Sequence, residues 1–242
     1  MRITNKIGTI IEDFDSWKEA FVEVDNEKHW NEGRSACSLA KHFTSPNMMD
    51  SYGIRDLKEF LGLFGIHNVQ FTHGEIEHES RFDKYRGKGR MQDLLLWGHT
   101  EQPIVVCVEA KVDETFGNTI AEAYNKKKKA NSNANKRIEE LCKKLYADTP
   151  TSSVCKDLRY QLLYYLAGSL KEAVKVKGAL FIPVLVYHTK AFNKAKGDEN
   201  YKDYIRFMKS VGFSRLDNGE RFLYRNVIEG IEVFSSYIEI KP

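Results

Sequence analysis

Two carboxylates and one ammonium in this chain have the residue types and spacing for phosphoryl chemistry. The segment "RMQDLLLW", residues 90–97, carries Asp93, and "PIVVCVEAKV", residues 103–112, carries Glu109 and Lys111. On a strand, residues two apart point to one face, so Glu109 and Lys111 project together with Val105 and Cys107 behind them. An antiparallel hairpin joining the two segments brings Asp93 near Glu109 at one sheet end. Carboxylates that close repel unless a cation lies between them, and carboxylate oxygens with water suit a hard ion such as Mg²⁺ or Mn²⁺. Such an ion polarises a phosphodiester and activates its bound water, while an ammonium orients that water or neutralises developing charge. Removing one of two repelling carboxylates is then expected to leave the apo fold intact.

The bare pattern [DE]xK says little, because it occurs three times: "DLK" at 56–58, "EAK" at 109–111 and "EIK" at 239–241. Only the middle one closes an apolar strand that follows another strand bearing an acidic residue, 16 positions earlier. The plain alternative for any of them is a salt-bridged strand exit of small energetic weight.

The elements that must hold these residues follow from periodicity. "DSWKEAFVEV", "NEGRSACSLAKHF" and "IRDLKEFLGLFG" read as helices, the last closed by Gly65. From residue 67 the period changes to two, and "VQFTHGEIEHESRF", "RMQDLLLW" and "PIVVCVEAKV" form a β-meander. Its third strand is almost wholly apolar, which places it centrally with both faces covered. "YNKKKKANSNANKRIEELCKKL" is helical but broken at "NSNAN". "DLRYQLLYYLAGSLKEA" is an amphipathic helix with Leu158, Leu162, Tyr165, Leu166 and Leu170 on one face. "GALFIPVLVYH" returns as a strand in which Pro183 argues for a bulge or an edge, "YKDYIRFMKSVG" is a further helix and "GIEVFSSYIEI" a terminal strand. The expected class is α/β: a mixed central sheet flanked by helices, in one domain over 1–242. Its parts are a helical segment over 1–66, a core over 67–190, and a helix and strand over 191–242.

"QDLLLWG" followed by "VVCVEAKV" resembles the core of the PD-(D/E)XK, or restriction-endonuclease-like, nuclease superfamily, whose motif is an Asp on one strand and (D/E)xK on the next. "HWNEGRSACSLAKHF", "MQDLLLWG", "VEAKVDETFG", "NKRIEELCKKL", "RYQLLYYLAGSLKEA" and "YKDYIRFMKSVG" are similar, in that order, to a poorly characterised bacterial family of that superfamily, over most of residues 17–215. The resemblance implies a restriction-endonuclease-like core. It implies Asp93 and Glu109 as ligands of Mg²⁺ or Mn²⁺, the backbone carbonyl of Ala110 as a third, and Lys111 as the water-orienting residue. Position 92 is Gln where the motif has Pro. An upstream Glu is often added in such nucleases; Glu75, Glu77 and Glu79 alternate on one expected strand face, and Glu77 best matches the spacing to Asp93. Gln161 and Tyr165 resemble a QxxxY motif, whose amide and phenol could reach a phosphate or hold Lys111, although a Tyr in an apolar stripe is ordinarily core. Arg34, within "GRSA", could contact phosphate or close a salt bridge, and Glu114 is a weaker candidate.

Net charge is only +3, but residues 124–144 hold eight Lys or Arg against two Glu, leaving about −3 for the remainder. Lys126, Lys127, Lys128, Lys129, Lys136 and Arg137 are the candidate phosphate contacts, with a solvated helix as the alternative; nothing points to base readout. The composition, 42% hydrophobic and 29% charged, is that of a globular chain. Four scattered cysteines without a CxxC pair fit a reducing cytosol, and no apolar run approaches the roughly 20 residues of a membrane span. The chain is expected to be cytoplasmic, to act on nucleic acid, DNA foremost, and to engage no membrane; a homodimer is left open. The rival readings are a nuclease-fold binding or regulatory module without turnover, and a partner subunit of a larger bacterial system.

Overall fold

The computed structural model describes every residue except 26, 49, 86, 130–132, 219–220 and 242, and leaves the side chains of Lys129, Asp217, Asn218 and Arg221 undescribed. The expected meander is β3 (Gln70–Ser80), β4 (Arg90–His99) and β5 (Pro103–Lys111), paired antiparallel in sequence order. β6 (Ala179–Tyr187) then lies parallel to β5, and β9 (Ile231–Ile240) parallel to β6. Two further strand pairs complete the sheet: β1 (Arg2–Asn5) with β2 (Ile10–Ile11) at one edge, and β7 (Ser214–Asn218) with β8 (Arg221–Ile228) at the other. The result, among the described residues, is one mixed sheet of nine strands in the order β2-β1-β3-β4-β5-β6-β9-β8-β7. The N-terminal part, expected to be helical to residue 66, thus also supplies the two strands at one side of the sheet.

Alternation along the strands sorts the core into two layers. Val105, Cys107, Leu180, Ile182 and Val184 pack under α4 (Ile120–Lys129), α5 (Ala134–Tyr146), α6 (Tyr160–Val176) and α7 (Lys194–Ser210). Ile104, Val106, Val108, Leu94 and Leu96 pack under α1 (Phe14–Val24), α2 (Ser35–Thr44) and α3 (Tyr52–Leu63). β5 is buried from Ile104 to Lys111, as expected of a central strand covered on both faces. α1 begins at a capping box in which Asp13 and Ser16 satisfy each other's backbone N–H groups. All four cysteines are buried and free, and among the described residues no helix is long and apolar enough to cross a membrane.

Pro183 corrects one expectation: it marks neither an edge nor a bulge, since it sits in β6 between two parallel partners, opposite Ser236 of β9, and the register to β5 is the same on either side of it. The ladder to β5 runs through Val106↔Phe181, resumes at Glu109↔Val184, and has no pair between them. A regular parallel ladder would take the donor for the Cys107 carbonyl from residue 183, and proline has none. The Tyr165 hydroxyl of α6 stands in its place, hydrogen-bonded to the Cys107 carbonyl and 3.0 Å from that of Pro183. The interruption is therefore repaired from the helix layer, directly behind Glu109.

Candidate active site at the ends of β4 and β5

The last pair of the β4–β5 ladder is Leu94↔Val108, and beyond it the strands part. Asp93 uses the gap: its Oδ2 accepts the Ala110 N–H at 2.8 Å. Glu109 and Lys111 share the face of Cys107 and Val105, as the strand period requires, and lie under α6. Both are buried, and Lys111 Nζ is 2.8 Å from Glu109 Oε1. The same oxygen accepts from Gln161 Nε2 at 2.6 Å, while Oε2 accepts from Arg90 Nη2. Gln161 thus holds Glu109, neither Lys111 nor an outward-facing group, and Tyr165 mends the sheet. Both members of the QxxxY pair serve the site through β5.

Arg90 is the residue that sequence reasoning misses. It opens β4, is itself buried, lies 5.5 Å from the Tyr165 ring centroid, and among the described residues its Nε has no hydrogen-bond partner. The signal for it lies far away in the chain: a Cβ on Gly168 of α6 would stand 2.7 Å from Arg90 Cβ and 3.1 Å from Gln92 Nε2, so the helix approaches β4 this closely only as glycine. With Arg90 and Lys111 both resting on it, Glu109 is the shared counter-ion of two buried cations. Deleting it would take from both cations the carboxylate they bond, which argues against the expectation that losing a carboxylate here costs the fold nothing.

The three upstream glutamates do not share a face. Glu77 has a φ of +49°, left-handed backbone that a non-glycine residue adopts at a cost. Alternation breaks there: Ile76 packs in the α1–α3 layer, and Glu77 next to it lines a cleft on that same side. Glu75 turns the other way, to His78, which also reaches Glu172 of α6. Glu79 accepts the Gly89 N–H at 2.7 Å. The register on either side, Ile76↔Leu94 and His78↔Gln92, sets Glu77 opposite Asp93.

Burial, with Asp93 and Asp25 nearby, pushes the Glu77 carboxyl up to about 9. Burial and the charge of Glu109 push Asp93 up to about 7. Burial would also raise Glu109, but Arg90 and Lys111 more than offset it and hold Glu109 below the usual carboxylate range. Three carboxyl groups therefore share two cations, and Asp93 and Glu77, the two that the cations do not hold down, are pushed toward their neutral forms, a balance that a bound cation would reverse. Among the described residues no three His, Cys, Asp or Glu side chains are grouped to enclose a metal ion. What the donor set fits is a hard cation taking one or two carboxylates and completing its shell with water.

The cluster has two openings. On the α1–α2 side a cleft of about 420 Å³ is lined by Glu77, Asp93, Glu114, Arg34 and His29. Arg34 there closes a salt bridge with Asp113, and Glu114 accepts from Ser35 Oγ at 3.0 Å and from the Val112 N–H at 2.8 Å. On the α4–α6 side a second cleft of about 350 Å³ is lined by Arg90, Gln161, Lys126, Lys127, Tyr160 and Tyr164. Lys126, Lys127, Lys128 and Lys136 are exposed, whereas the side chain of Lys129 lies outside the described residues. Arg137 departs from the expected phosphate contacts: it is buried, paired with Asp83, bonded to the Lys88 carbonyl at 3.2 Å and the Tyr164 hydroxyl at 3.1 Å. Its charge is spent on holding α5 against the 82–88 loop.

The family described as "Domain of unknown function (DUF6946)" matches residues 11–242. The chain belongs to that family. No curated protein and no solved structure matches it. The family match spans every element that builds the site, from α1 to β9, so the cluster belongs to the family's domain and to no appended segment.

Proposed function

We propose that this is a metal-dependent phosphodiesterase of PD-(D/E)XK type acting on nucleic acid, DNA foremost. The observation that carries the reading is the meeting of Asp93, Glu109 and Lys111 where β4 and β5 part, with a third carboxyl group, Glu77, opposite Asp93. A divalent cation at Asp93 and Glu109 would polarise the phosphodiester and supply a water of lowered pKa. The chain's own residues would do the rest. Gln161 fixes the Glu109 carboxylate, Lys111 holds a donor beside the reacting centre, Asp93 is oriented by the Ala110 N–H, and the exposed lysines of α4 offer contacts to backbone phosphates. Glu77 supplies a further carboxylate across the cleft from α1 and α2.

One observation favours a second reading, a binding module without turnover: both Glu109 oxygens already carry partners, Arg90 on one and Lys111 with Gln161 on the other. Titration with Mn²⁺ separates the two. The enzyme reading expects wild type to bind Mn²⁺ and cleave a labelled oligonucleotide, and Asp93→Asn to lose both. Wild type that binds oligonucleotide but neither binds Mn²⁺ nor cleaves would establish the module instead.

A further inference from the structure

The α4–α6 cleft differs in character from the rest of the surface near the site. Lys126 and Lys127 on its rim are exposed, and among the described residues neither has an ion-pair partner. Its wall carries Tyr160 and Tyr164, one helical turn apart on α6, with ring centroids 5.4 Å apart and ring planes inclined by 31°. Tyr164 is held in place: its hydroxyl bonds the Lys88 carbonyl at 3.0 Å and Arg137 Nη1 at 3.1 Å, and Phe82 packs edge-on at 5.2 Å. The inner end of the cleft is Gln161 and Arg90, the two residues that hold opposite oxygens of Glu109. Next to it on α4 the alternation of ring and ammonium continues, with Lys128 Nζ 5.7 Å from the Tyr124 ring centroid.

Free ammonium groups along a rim and aromatic faces along a wall are what an unpaired strand needs: the cations follow its phosphates, and its bases, which a duplex would keep stacked on one another, find rings to stack on. The dimensions point the same way. A volume of about 350 Å³ lies at the lower end of small-ligand pockets, on the scale of about one nucleotide unit. Its lining runs from the exposed Lys126 and Lys127 to the half-buried Gln161 and the buried Arg90, a path that suits a strand free of its partner.

We infer that the α4–α6 cleft is the entry path for a single strand of nucleic acid, led past Lys126 and Lys127 and over Tyr160 and Tyr164 to the Glu109 cluster. This rests on the proposed function above and narrows its substrate to unpaired strands, a strand end or a frayed segment. Tyr160 is the residue to test, because Tyr164 also supports Arg137 and the 82–88 loop.

The test is fluorescence anisotropy of the full chain in EDTA with three labelled probes: a 20-nucleotide oligo-dT, a 20-nucleotide oligo-rU and a 20-base-pair duplex. Either single strand, or both, is expected to bind at least about tenfold more tightly than the duplex. The dT and rU arms tell which sugar is preferred. Tyr160→Ser is expected to weaken single-strand binding about tenfold and Tyr160→Phe to restore it, with the duplex affinity unmoved by either. Lys126→Gln with Lys127→Gln should flatten the slope of log K against log salt for the single strand by roughly 0.7 for each phosphate no longer neutralised. Duplex binding equal to or tighter than both single strands would overturn this inference and leave the nucleic-acid reading standing. Failure of all three probes to bind would also overturn this inference, and the proposed function would then stand or fall by cleavage with Mn²⁺. Should Tyr160→Ser not fold, the wild-type ratio of single strand to duplex decides alone.

Discussion

At the end of β5, Glu109 and Lys111 lie 2.8 Å apart with 1% and 8% of their side chains exposed; at the end of β9, Glu239 and Lys241 lie 3.6 Å apart with 47% and 68% exposed. Both are E-x-K at the exit of a strand, and Lys111 and Glu239 are in register with the same residue of β6, Val186. What separates them is the other flank. Beside β5, β4 continues to Asp93 and α6 covers the face with Gln161 and Tyr165. Beside β9, the pairing with β8 among the described residues runs only as far as Leu223↔Ser236, short of Glu239. Glu239, half exposed, meets His188 at 3.6 Å on its other oxygen. The third match, Asp56 and Lys58, is helical, and Asp56 bonds His42. Neighbours across the sheet give the three-residue pattern its chemistry.

The comparison breaks most readily at Glu109. Glu109→Ala takes from Arg90 and Lys111 the carboxylate they bond and leaves them buried beside Asp93 and Glu77, both held toward their neutral forms, and we expect a loss of about 3–5 kcal/mol, on the order of 10 °C in a thermal melt. A melt within one degree of wild type would show that water reaches the cluster and screens its charges.

A smaller effect of opposite sign is expected at Glu77. Its carboxyl is raised from 4.5 to about 9, so the folded state disfavours its ionised form, and stability falls as pH rises from about 4.5 toward about 9. Glu77→Gln should therefore stabilise the metal-free protein at pH 8 by about 1–3 kcal/mol and flatten its stability profile above pH 5. Saturating Mn²⁺ should stabilise wild type and do less for the variant. A variant less stable than wild type at pH 8 without metal would contradict the cost of burying this carboxyl.

His78 provides a control away from the site. Burial lowers it, but Glu172 and Glu75 hold it up to about 9, from an ordinary 6.5. A raised imidazole contributes stability that is fully present below pH 6.5 and is lost as pH rises through about 9. Its partner Glu172, held down to about 2 by His78 and Lys175 against the effect of burial, describes the same ion pair from the acid side. His78→Gln should remove this alkaline limb, by about 1–2 kcal/mol at neutral pH, and leave the Glu77 slope in place. If the two variants change the same limb to the same extent, the assignment of the slopes to separate clusters fails. The smallest effect belongs to the far member of the comparison: Glu239→Ala should change stability by no more than about 0.5 kcal/mol.

The meander, its central strand and the common face of Glu109 and Lys111 were legible because strand period and a run of β-branched residues are local properties. β1 and β2 were not: four and two residues carry too little pattern, and β1 is fixed by parallel pairing with β3 some 70 residues on. Pro183 misled because the donor that replaces its missing N–H comes from Tyr165 on another element. Glu75, Glu77 and Glu79 misled because alternation holds only while φ stays in the extended region, and the left-handed turn of Glu77 shows in no residue type. Arg90 was hidden for the same kind of reason. Its meaning depends on Gly168, far along the chain, letting α6 come down onto β4.

The central claim is that the β5 pair, and neither of its sequence twins, performs divalent-dependent phosphodiester cleavage. The direct test is the initial rate of oligonucleotide cleavage, with Mg²⁺ or Mn²⁺ and with EDTA, by wild type, Glu109→Gln and Glu239→Gln. The account predicts cleavage by wild type only with the metal, a loss of at least roughly a hundredfold in Glu109→Gln, and no change in Glu239→Gln. Glu109→Gln cleaving as fast as wild type, with both folded by melt, would contradict it.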